Sequence, residues 1–232
     1  TQFAQSLKLN SLDRLTGTLA HEIRNPLAAA NNAVQLLVEN ESMSAGDREL
    51  ANIVLRNTNR MNDTVNNVLE LSRRVPPTME PIHVSEWLTG VVRDFKESHA
   101  KAATLSIKGN YETPIMADKN QMKRVLDNLI DNALRHSEAA SGDRTALIEV
   151  SGSLSPRLCF IDIIDDGDGV PEAAQARLFE PFFTTNPEGT GLGLYLCKEL
   201  CESNGADISY RRTADGRSSF RLSMRLQPED AR

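Results

Sequence analysis

The periodicity of apolar residues changes near residues 73–77, and this change divides the chain into two parts that must fold differently. Before it, apolar residues recur at steps of three and four, which is typical of amphipathic helices. Turn-forming residues at 41–46 interrupt this pattern, so we predict one helix near 3–39 and a second near 47–73. The first part of the chain is therefore predicted to be a helical hairpin.

Two helices alone leave one side of each apolar stripe uncovered. A second copy of the hairpin would cover that side by forming a four-helix bundle with heptad-like packing. We therefore predict a homodimer through this segment. The alternative is a hairpin that packs on the domain that follows it.

After the Pro76-Pro77 pair, helical patterns alternate with short runs of strand-forming residues. This order predicts an α+β domain in which antiparallel strands are backed by helices on one face. The predicted helices lie near 85–98, 119–136 and 190–203, and the predicted strands lie at 105–108, 147–151, 158–164, 208–211 and 220–226. We expect a first domain over 1–75, a linker over 76–81 and a second domain over 82–228.

Composition narrows the class of protein. A net charge of −6 and an aromatic content of 5% argue against a nucleic-acid partner, which requires clustered cations and stacking side chains. No apolar run is long enough to span a bilayer and no secretory signal opens the chain, so we expect this stretch to be cytoplasmic. The sequence leaves open whether this stretch belongs to a longer protein that is anchored in an inner membrane. Three cysteines predict buried, reduced thiols in preference to a metal or redox site.

The first group of chemically active residues is His21-Glu22-Ile23-Arg24-Asn25-Pro26-Leu27 on the first helix. Helical geometry turns His21 away from the apolar stripe, and a neutral imidazole offers a free nitrogen lone pair. Glu22 can accept the other ring N–H and stabilise the cation that develops on attack. Pro26 predicts a bend beside this histidine. An ordinary exposed histidine on a kinked helix is the alternative.

A second group lies on the helix that Asp118 is predicted to cap. Asn128, Asn132 and Arg135 recur on one face, where two amide oxygens can ligate a hard cation such as Mg²⁺. Arg135 and the adjacent His136 would donate to phosphates. The alternative is a solvated polar face.

Two further groups contain glycines. Asp165 ends an apolar strand and can accept from an exocyclic amine, while Gly167 and Gly169 let the backbone approach a planar ligand. Residues 189–194 open a helix with three glycines, whose N–H groups favour phosphate. Taken singly, each is a weak signal, since Asp-Gly pairs are common in turns.

In their order and spacing, these groups resemble the sensor histidine kinases of two-component signalling, over nearly the whole chain. Residues 21–27 look like the H-box, 128–136 the N-box, 165–169 the G1 box, 178–185 the F-box and 189–194 the G2 box. The resemblance implies a dimeric phosphotransfer hairpin joined to a two-layer ATP-binding sandwich of the gyrase and Hsp90 type. The short lid and the Arg-Asn-Pro-Leu ending look like the nitrogen-regulation and pilus-type sensors.

The resemblance also implies roles and partners. His21 would be the phospho-acceptor, Glu22 its orienting base, and Asn25 the residue that positions γ-phosphate or a hydrolytic water. Asn132, with Asn128 beside it, would hold Mg²⁺, and Asp165 would read adenine. The implied ATP-binding residues are Asn128, Asn132, Arg135, His136, Asp165, Gly167, Gly169, Phe182, Thr185, Gly189, Thr190, Gly191, Leu192 and Gly193. The implied partners are a second copy of the chain and the receiver domain of a response regulator.

Two departures and two alternatives accompany this interpretation. Asn186 stands where similar short-lid members often carry Lys, so this position supplies no positive charge to the phosphates. Asn128 stands where related ATPases place a glutamate base, and an amide cannot deprotonate water, so futile hydrolysis is expected to be slow. The alternatives are a member that mainly dephosphorylates its regulator and a non-catalytic nucleotide-binding scaffold.

Overall fold

The computed structural model describes seven stretches of the chain. They are residues 16–39, 43–73, 75–98, 103–109, 112–154, 157–186 and 189–226. The chain separates into two compact units, one containing 1–75 with 181–193 and the other containing 76–180 with 194–232.

The first unit contains a helical hairpin, as predicted. Helix α1 spans Thr16–Val38 and continues through Pro26, and helix α2 spans Ala45–Arg73. The predicted beginning of the first helix, over 3–15, lies outside the described residues. Ser44 precedes α2, and its hydroxyl accepts from the backbone N–H of Asp47 at 3.1 Å. This contact satisfies one of the free donors of the first helical turn.

Polar side chains fix the pairing of the two helices. The guanidinium of Arg24 donates from Nε and Nη2 to Oδ1 of Asn66, at 3.1 and 2.7 Å. Nearer the turn, Asn31 Nδ2 donates to Asn59 Oδ1 at 2.6 Å. The two pairs run in opposite directions along the chain, so the helices are antiparallel.

The hairpin leaves large apolar side chains exposed on both helices. They are Ile23, Leu36, Leu37, Leu50, Ile53, Val54 and Met61. Exposure of this many large apolar residues is unusual on a monomer surface and is typical of an interface. The predicted homodimer stays a prediction, and this surface is where we expect it to form.

The second unit is an α+β sandwich. Its helices are α3 (Val84–Ser98), α4 (Lys119–Ser141), α5 (Glu172–Gln175) and α6 (Gly193–Ser203, whose first residue belongs to the other unit). Its strands are β1 (Glu80–Ile82), β2 (Thr104–Lys108), β3 (Ile115–Ala117), β4 (Thr145–Leu154), β5 (Arg157–Asp165), β6 (Asp207–Arg212) and β7 (Ser218–Arg225). A five-stranded sheet has the order β2-β4-β5-β7-β6, and β1 pairs with β3.

The strand directions correct one prediction. The pairs β4–β5, β5–β7 and β6–β7 are antiparallel as expected, but the edge strand β2 runs parallel to β4. The chain between β2 and β4 contains β3 and all of α4, and a connection of this length allows a crossover to a parallel neighbour. A purely antiparallel sheet was therefore the wrong expectation.

The core lies between one face of the sheet and the helices. Helix α4 contributes Leu126, Leu129, Ile130 and Leu134, which are fully buried, and the facing strand residues include Ile148, Ile161 and Ile163. The helix extends to Ser141, five residues beyond the predicted end, because Glu138-Ala139-Ala140 are good helix formers. Gly142 then ends it in the left-handed region, at φ 83°.

Asp118 anchors the start of α4, as predicted. Its Oδ1 accepts from the N–H groups of Asn120 and Gln121 at 2.9 Å, and its Oδ2 accepts from Thr78 N–H at 2.8 Å. Burial raises the pKa of this carboxyl, but the three backbone donors outweigh it and leave the pKa below its usual value. The cap fixes the position at which α4 begins relative to the segment that contains Thr78.

The three cysteines are buried free thiols, which agrees with the sequence-based expectation. Burial raises the pKa of Cys159 and of Cys201 to about 12, so both stay protonated at neutral pH. Within the described stretches, no helix combines the length and the apolar character needed to cross a bilayer.

Candidate functional site

Helix α1 carries the predicted phospho-acceptor segment in its first half. The backbone of His21 and Glu22 is helical, and their side chains lie outside the description. Asn25 and Pro26 are exposed. Arg24, between these residues, is held by Asn66 of α2. The helix is therefore fixed to its neighbour within one turn of His21, next to the exposed Asn25 and Pro26.

The polar face of α4 is formed as the sequence predicts. Asn128 and Asn132 are half-buried, and Arg135 and His136 are exposed at the same end of the helix. Arg135 donates to Asp131 Oδ2 at 3.0 Å and makes a very short hydrogen bond to Asn132 Oδ1. The amide oxygen predicted to ligate Mg²⁺ thus accepts from a cation, and a metal ion would have to displace that guanidinium.

Asp165 ends β5 in the interior of the sandwich. Only 3% of this residue is exposed. Burial raises the pKa of its carboxyl, although hydrogen bonds from the Ser218 side chain and from Gly167 N–H, at 2.9 Å, oppose the shift. A buried carboxylate with two donors still has unused acceptor capacity. It can therefore accept from a further donor, such as an exocyclic amine.

Gly167 lies where the second half of α4 comes close to the end of β5. A side chain at this position would meet Asp165 Oδ1 at 2.8 Å and His136 Cβ at 2.9 Å, so only glycine fits. The hydroxyl of the fully buried Ser137 accepts from Asp166 N–H at 3.0 Å. The residues predicted as the N-box and G1 box are therefore neighbours in space.

Segment 181–193, in the other unit, contains the remaining predicted nucleotide residues. Phe182 is exposed and has a φ of 65°, and its N–H donates to the carbonyl of Gly191 at 2.9 Å. Gly191 has a φ of 69°, and a side chain there would meet the Cα of Phe182 at 2.7 Å. These contacts close a loop that depends on glycine at position 191.

The other residues of this loop form a turn and then enter α6. Thr184 Oγ1 accepts from Asn186 N–H at 3.0 Å, and Gly189 N–H donates to Asn186 O at 2.9 Å. Thr185 is exposed, whereas Leu192 is buried. Thr190 Oγ1 accepts from Leu192 N–H at 3.3 Å, and Gly193 begins the helix.

The amide oxygens of α4 suit a magnesium ion once the guanidinium of Arg135 has moved away from Asn132. Mg²⁺ prefers oxygen ligands and is commonly bound by few protein groups, with phosphates and water completing its shell. Asn132 Oδ1 lies on the surface of α4 beside Asn128, on the side that carries Arg135 and His136. Within the described residues, no group of three histidine, cysteine or acidic side chains is placed to hold a metal ion.

Sequence reasoning missed four residues that shape this site. Ser137 and Ser218 bind the Asp165–Asp166 backbone and side chain, and Tyr210 and Arg212 bind the turn after Asp165. Ser137 stands directly after the predicted N-box and continues the spacing of the buried positions Ile130, Ala133 and Leu134, so a polar residue there was a usable signal. The other three lie on β6 and β7, where no local pattern indicates that they reach the site.

Two family models match the chain. The His Kinase A (phospho-acceptor) domain matches residues 11–76, and the histidine kinase-, DNA gyrase B- and HSP90-like ATPase matches residues 117–228. Among solved structures, full-length ShkA in complex with AMPPNP has a TM-score of 0.68 at 24% identity over 94% of this chain and 46% of its own. Histidine kinase ThkA in complex with response regulator TrrA has a TM-score of 0.66 at 24% identity over 98% and 65%. These likenesses confirm the predicted fold class.

Curated relatives agree with the family models. The sensor protein kinase PilS of Pseudomonas aeruginosa is 42% identical over 222 residues, which are 95% of this chain and 42% of PilS. The sensory histidine kinase/phosphatase NtrB of Rhodobacter capsulatus is 31% identical over an alignment of 226 residues that covers 91% of this chain and 61% of NtrB. The chain thus spans about half the length of these relatives. With a phospho-acceptor hairpin followed by a kinase-type ATPase sandwich, it belongs to the sensor histidine kinases of two-component systems.

Proposed function

We propose that the chain transfers the γ-phosphoryl group of ATP to His21 and then to an aspartate of a response regulator. The observation that carries this proposal is the buried carboxylate of Asp165, which lies next to the polar end of α4. That arrangement suits an adenine base beside phosphate-binding groups. The exposed helical segment around His21 supplies an acceptor, which a chaperone or topoisomerase-type ATPase does not need.

The nucleotide would be bound mainly by positioning and charge. Asp165 accepts from the adenine amine, and Gly167 and Gly169 let the backbone approach the ring. Asn132 and Asn128 would hold Mg²⁺, which offsets the phosphate charge as the phosphoryl group moves. The other residues that we propose as ATP contacts are Arg135, His136, Phe182, Thr185, Gly189, Thr190, Gly191, Leu192 and Gly193.

Attack on the γ-phosphorus requires a neutral imidazole held in one orientation. We propose that Glu22 orients the ring of His21 and stabilises the cation formed on attack. Asn128 cannot act as a general base toward water, which favours transfer to His21 over hydrolysis. The reaction then depends on bringing the acceptor and the nucleotide together, since phosphoryl transfer gains most from positioning.

We further propose the boundaries and assembly that this mechanism needs. Residues 1–75 would form the dimerisation and phosphotransfer domain, 76–81 the linker and 82–228 the ATP-binding domain. The exposed apolar side chains of α1 and α2 support dimerisation into a four-helix bundle. A parent protein would place this portion in the cytoplasm, whether or not it is anchored in the inner membrane.

Incubation with γ-labelled ATP and Mg²⁺ tests the kinase proposal. We expect an acid-labile label that maps to His21 among the four histidines, and no label on the His21→Gln protein. Binding of a fluorescent ADP analogue, which the His21→Gln protein should retain, is the control for folding. Tight nucleotide binding without label on the unchanged protein would contradict the proposal and favour a nucleotide-binding scaffold.

Dephosphorylation of the regulator is a second candidate activity. One relative, NtrB, is described as a histidine kinase/phosphatase, and ThkA was solved in complex with a response regulator. In this chain, Asn25 is exposed on α1 one turn beyond His21. An exposed amide at that place can orient a water toward a phospho-aspartate of a bound receiver domain.

Replacing Asn25 with Ala should reduce dephosphorylation of the regulator by about 10-fold or more, because the water loses an orienting hydrogen bond. The rate is measured with a purified phosphorylated receiver domain. Asn32→Ala, at an exposed position two turns further along α1, is the matched control and should leave the rate unchanged. An unchanged rate for Asn25→Ala, or an equal loss in both proteins, would show that Asn25 does not have this role.

A further inference from the structure

Two residues of β6, Tyr210 and Arg212, form hydrogen bonds with the backbone of the turn after Asp165. The N–H of Val170 donates to Tyr210 Oη at 2.9 Å. Arg212 makes a very short hydrogen bond from Nη2 to the carbonyl of Asp168, and its Nη1 donates to Gly216 O at 2.8 Å. Both β6 side chains therefore bind the backbone of the turn, whereas the carboxylate of Asp165 accepts from Ser218 and Gly167.

Gly169 is the point at which these two side chains converge. Its φ is 77°, and a Cβ at this position would meet Arg212 Cζ at 2.6 Å and Tyr210 Oη at 2.7 Å. The space that a side chain would occupy is thus filled by the guanidinium and the phenol. This glycine is required by the packing of the turn as well as by clearance for a ligand.

The phenol of Tyr210 is itself fixed by aromatic packing. Its ring meets that of Phe220 on β7 edge to face, with centroids 5.4 Å apart, and Phe220 meets Phe179 in the same way at 6.4 Å. At the start of the turn, Ser137 Oγ accepts from Asp166 N–H. The turn is therefore held at both ends by groups with little freedom.

We propose that Tyr210 and Arg212 are positioning residues for adenine recognition: they clamp residues 168–170 so that Asp165 and the adjacent backbone present one fixed hydrogen-bonding edge to the base. The inference rests on the proposed function, because it requires that Asp165 reads a purine. A base is selected when a rigid site leaves the wrong base with unpaired polar groups. Loosening the turn should then reduce selectivity for adenine as well as affinity.

Two single variants and a control test the clamp in the full chain. We expect Tyr210→Phe, which keeps the ring against Phe220, to raise the Kd for ADP about 5-fold, and Arg212→Met to raise it about 10-fold. Both should also lower the ratio of GDP Kd to ADP Kd, whereas Arg225→Ala, at an exposed position on β7, should change neither value. Tyr210→Phe or Arg212→Met proteins that melt like the unchanged protein and retain full ADP affinity and selectivity would overturn the clamp.

A double-mutant cycle separates the clamp from the proposed function. Part of the loss in Gly169→Ala should come from collision with Arg212, so the same substitution should cost a smaller factor in an Arg212→Ala background. Additive losses would contradict this. If Asp165→Asn leaves ADP binding unchanged, adenine reading by Asp165 is wrong; if it abolishes binding while the clamp variants bind normally, only the clamp is wrong.

Discussion

The Asp165→Asn protein is expected to bind ATP and ADP about 100-fold more weakly than the unchanged protein, with its sandwich still folded. The carboxylate already accepts from Ser218 and Gly167, so it can bind the adenine amine only by accepting a further hydrogen bond. An asparagine amide has one oxygen and one NH₂ group, so it cannot accept on both sides as the carboxylate does. A buried mismatch of this kind costs about 3 kcal/mol, which corresponds to the stated loss.

Isothermal titration with ADP measures this effect, and Asp166→Asn is the matched control. Asp166 is the adjacent residue, is exposed, and accepts from the hydroxyl of Thr145 at 2.9 Å. The same chemical change there should alter nucleotide affinity by no more than about twofold, since an exposed hydrogen bond and the exposed 3.8 Å ion pair with Arg217 contribute little. Equal affinities for the two variants would exclude Asp165 from base recognition.

The pKa of Asp165 gives this prediction a pH dependence. Burial raises the pKa, so the ionised form costs folding stability. The group's contribution to stability is therefore present below its unfolded pKa and is lost as the pH rises through its folded pKa. At neutral pH, the nucleotide-free Asp165→Asn protein should melt at the same temperature as the unchanged protein or higher. Nucleotide affinity of the unchanged protein should fall on acidification with a midpoint above the ordinary aspartate pKa.

Local sequence patterns were sufficient for the elements that carry most of the site. The apolar spacing of α4, the cap at Asp118 and the strand that ends at Asp165 are all readable from neighbouring residues, because helix and strand periodicities are local. Their order along the chain, together with the glycines, predicted the candidate ligand-binding region. The helical hairpin was predicted for the same reason.

Non-local pairing limited the rest of the prediction. Strands β1 and β3 are three residues each, too short for a periodic signal, and they form only because they pair with one another. The parallel β2–β4 pairing depends on how the intervening chain crosses the sheet. Tyr210 and Arg212 are about 40 residues from the turn they hold. No pattern within β6 indicates that its end lies beside residues 168–170.

Asp162 is a further residue that local patterns did not single out, and we expect Asp162→Ala to destabilise the sandwich by about 3 kcal/mol. It lies in the middle of β5 and is 1% exposed. Arg221 binds it with Nε and Nη2, at 3.0 and 2.7 Å, while Arg211 Nε and Ser219 Oγ each donate at 3.2 Å. Removing the carboxylate leaves these donors unpaired on the sheet, and losing one partner of a buried ion pair costs several kcal/mol.

Urea unfolding followed by the fluorescence of Trp87, the single tryptophan, isolates this effect, because Trp87 is buried in α3 of the sandwich. Asp215→Ala is the matched control. Asp215 also pairs with an arginine, at 2.8 Å to Arg217, but its side chain is 58% exposed, so its loss should shift the urea midpoint far less than the loss of Asp162 does. Equal shifts of the urea midpoint in the two proteins would show that the Asp162 cluster contributes no more than a surface pair.

The cost of Asp162→Ala should come from unpaired donors and not from lost attraction, and a double variant distinguishes these causes. The guanidinium of Arg221 lies 4.5 Å from the ring centroid of Phe160, so this part of the sheet already accepts apolar contact. Replacing Asp162 with Leu and Arg221 with Met together should recover most of the stability lost in Asp162→Ala, since Arg211 is exposed enough to be hydrated. If the double variant is as unstable as Asp162→Ala, the ion pair itself stabilises the sheet and the unpaired-donor explanation is wrong.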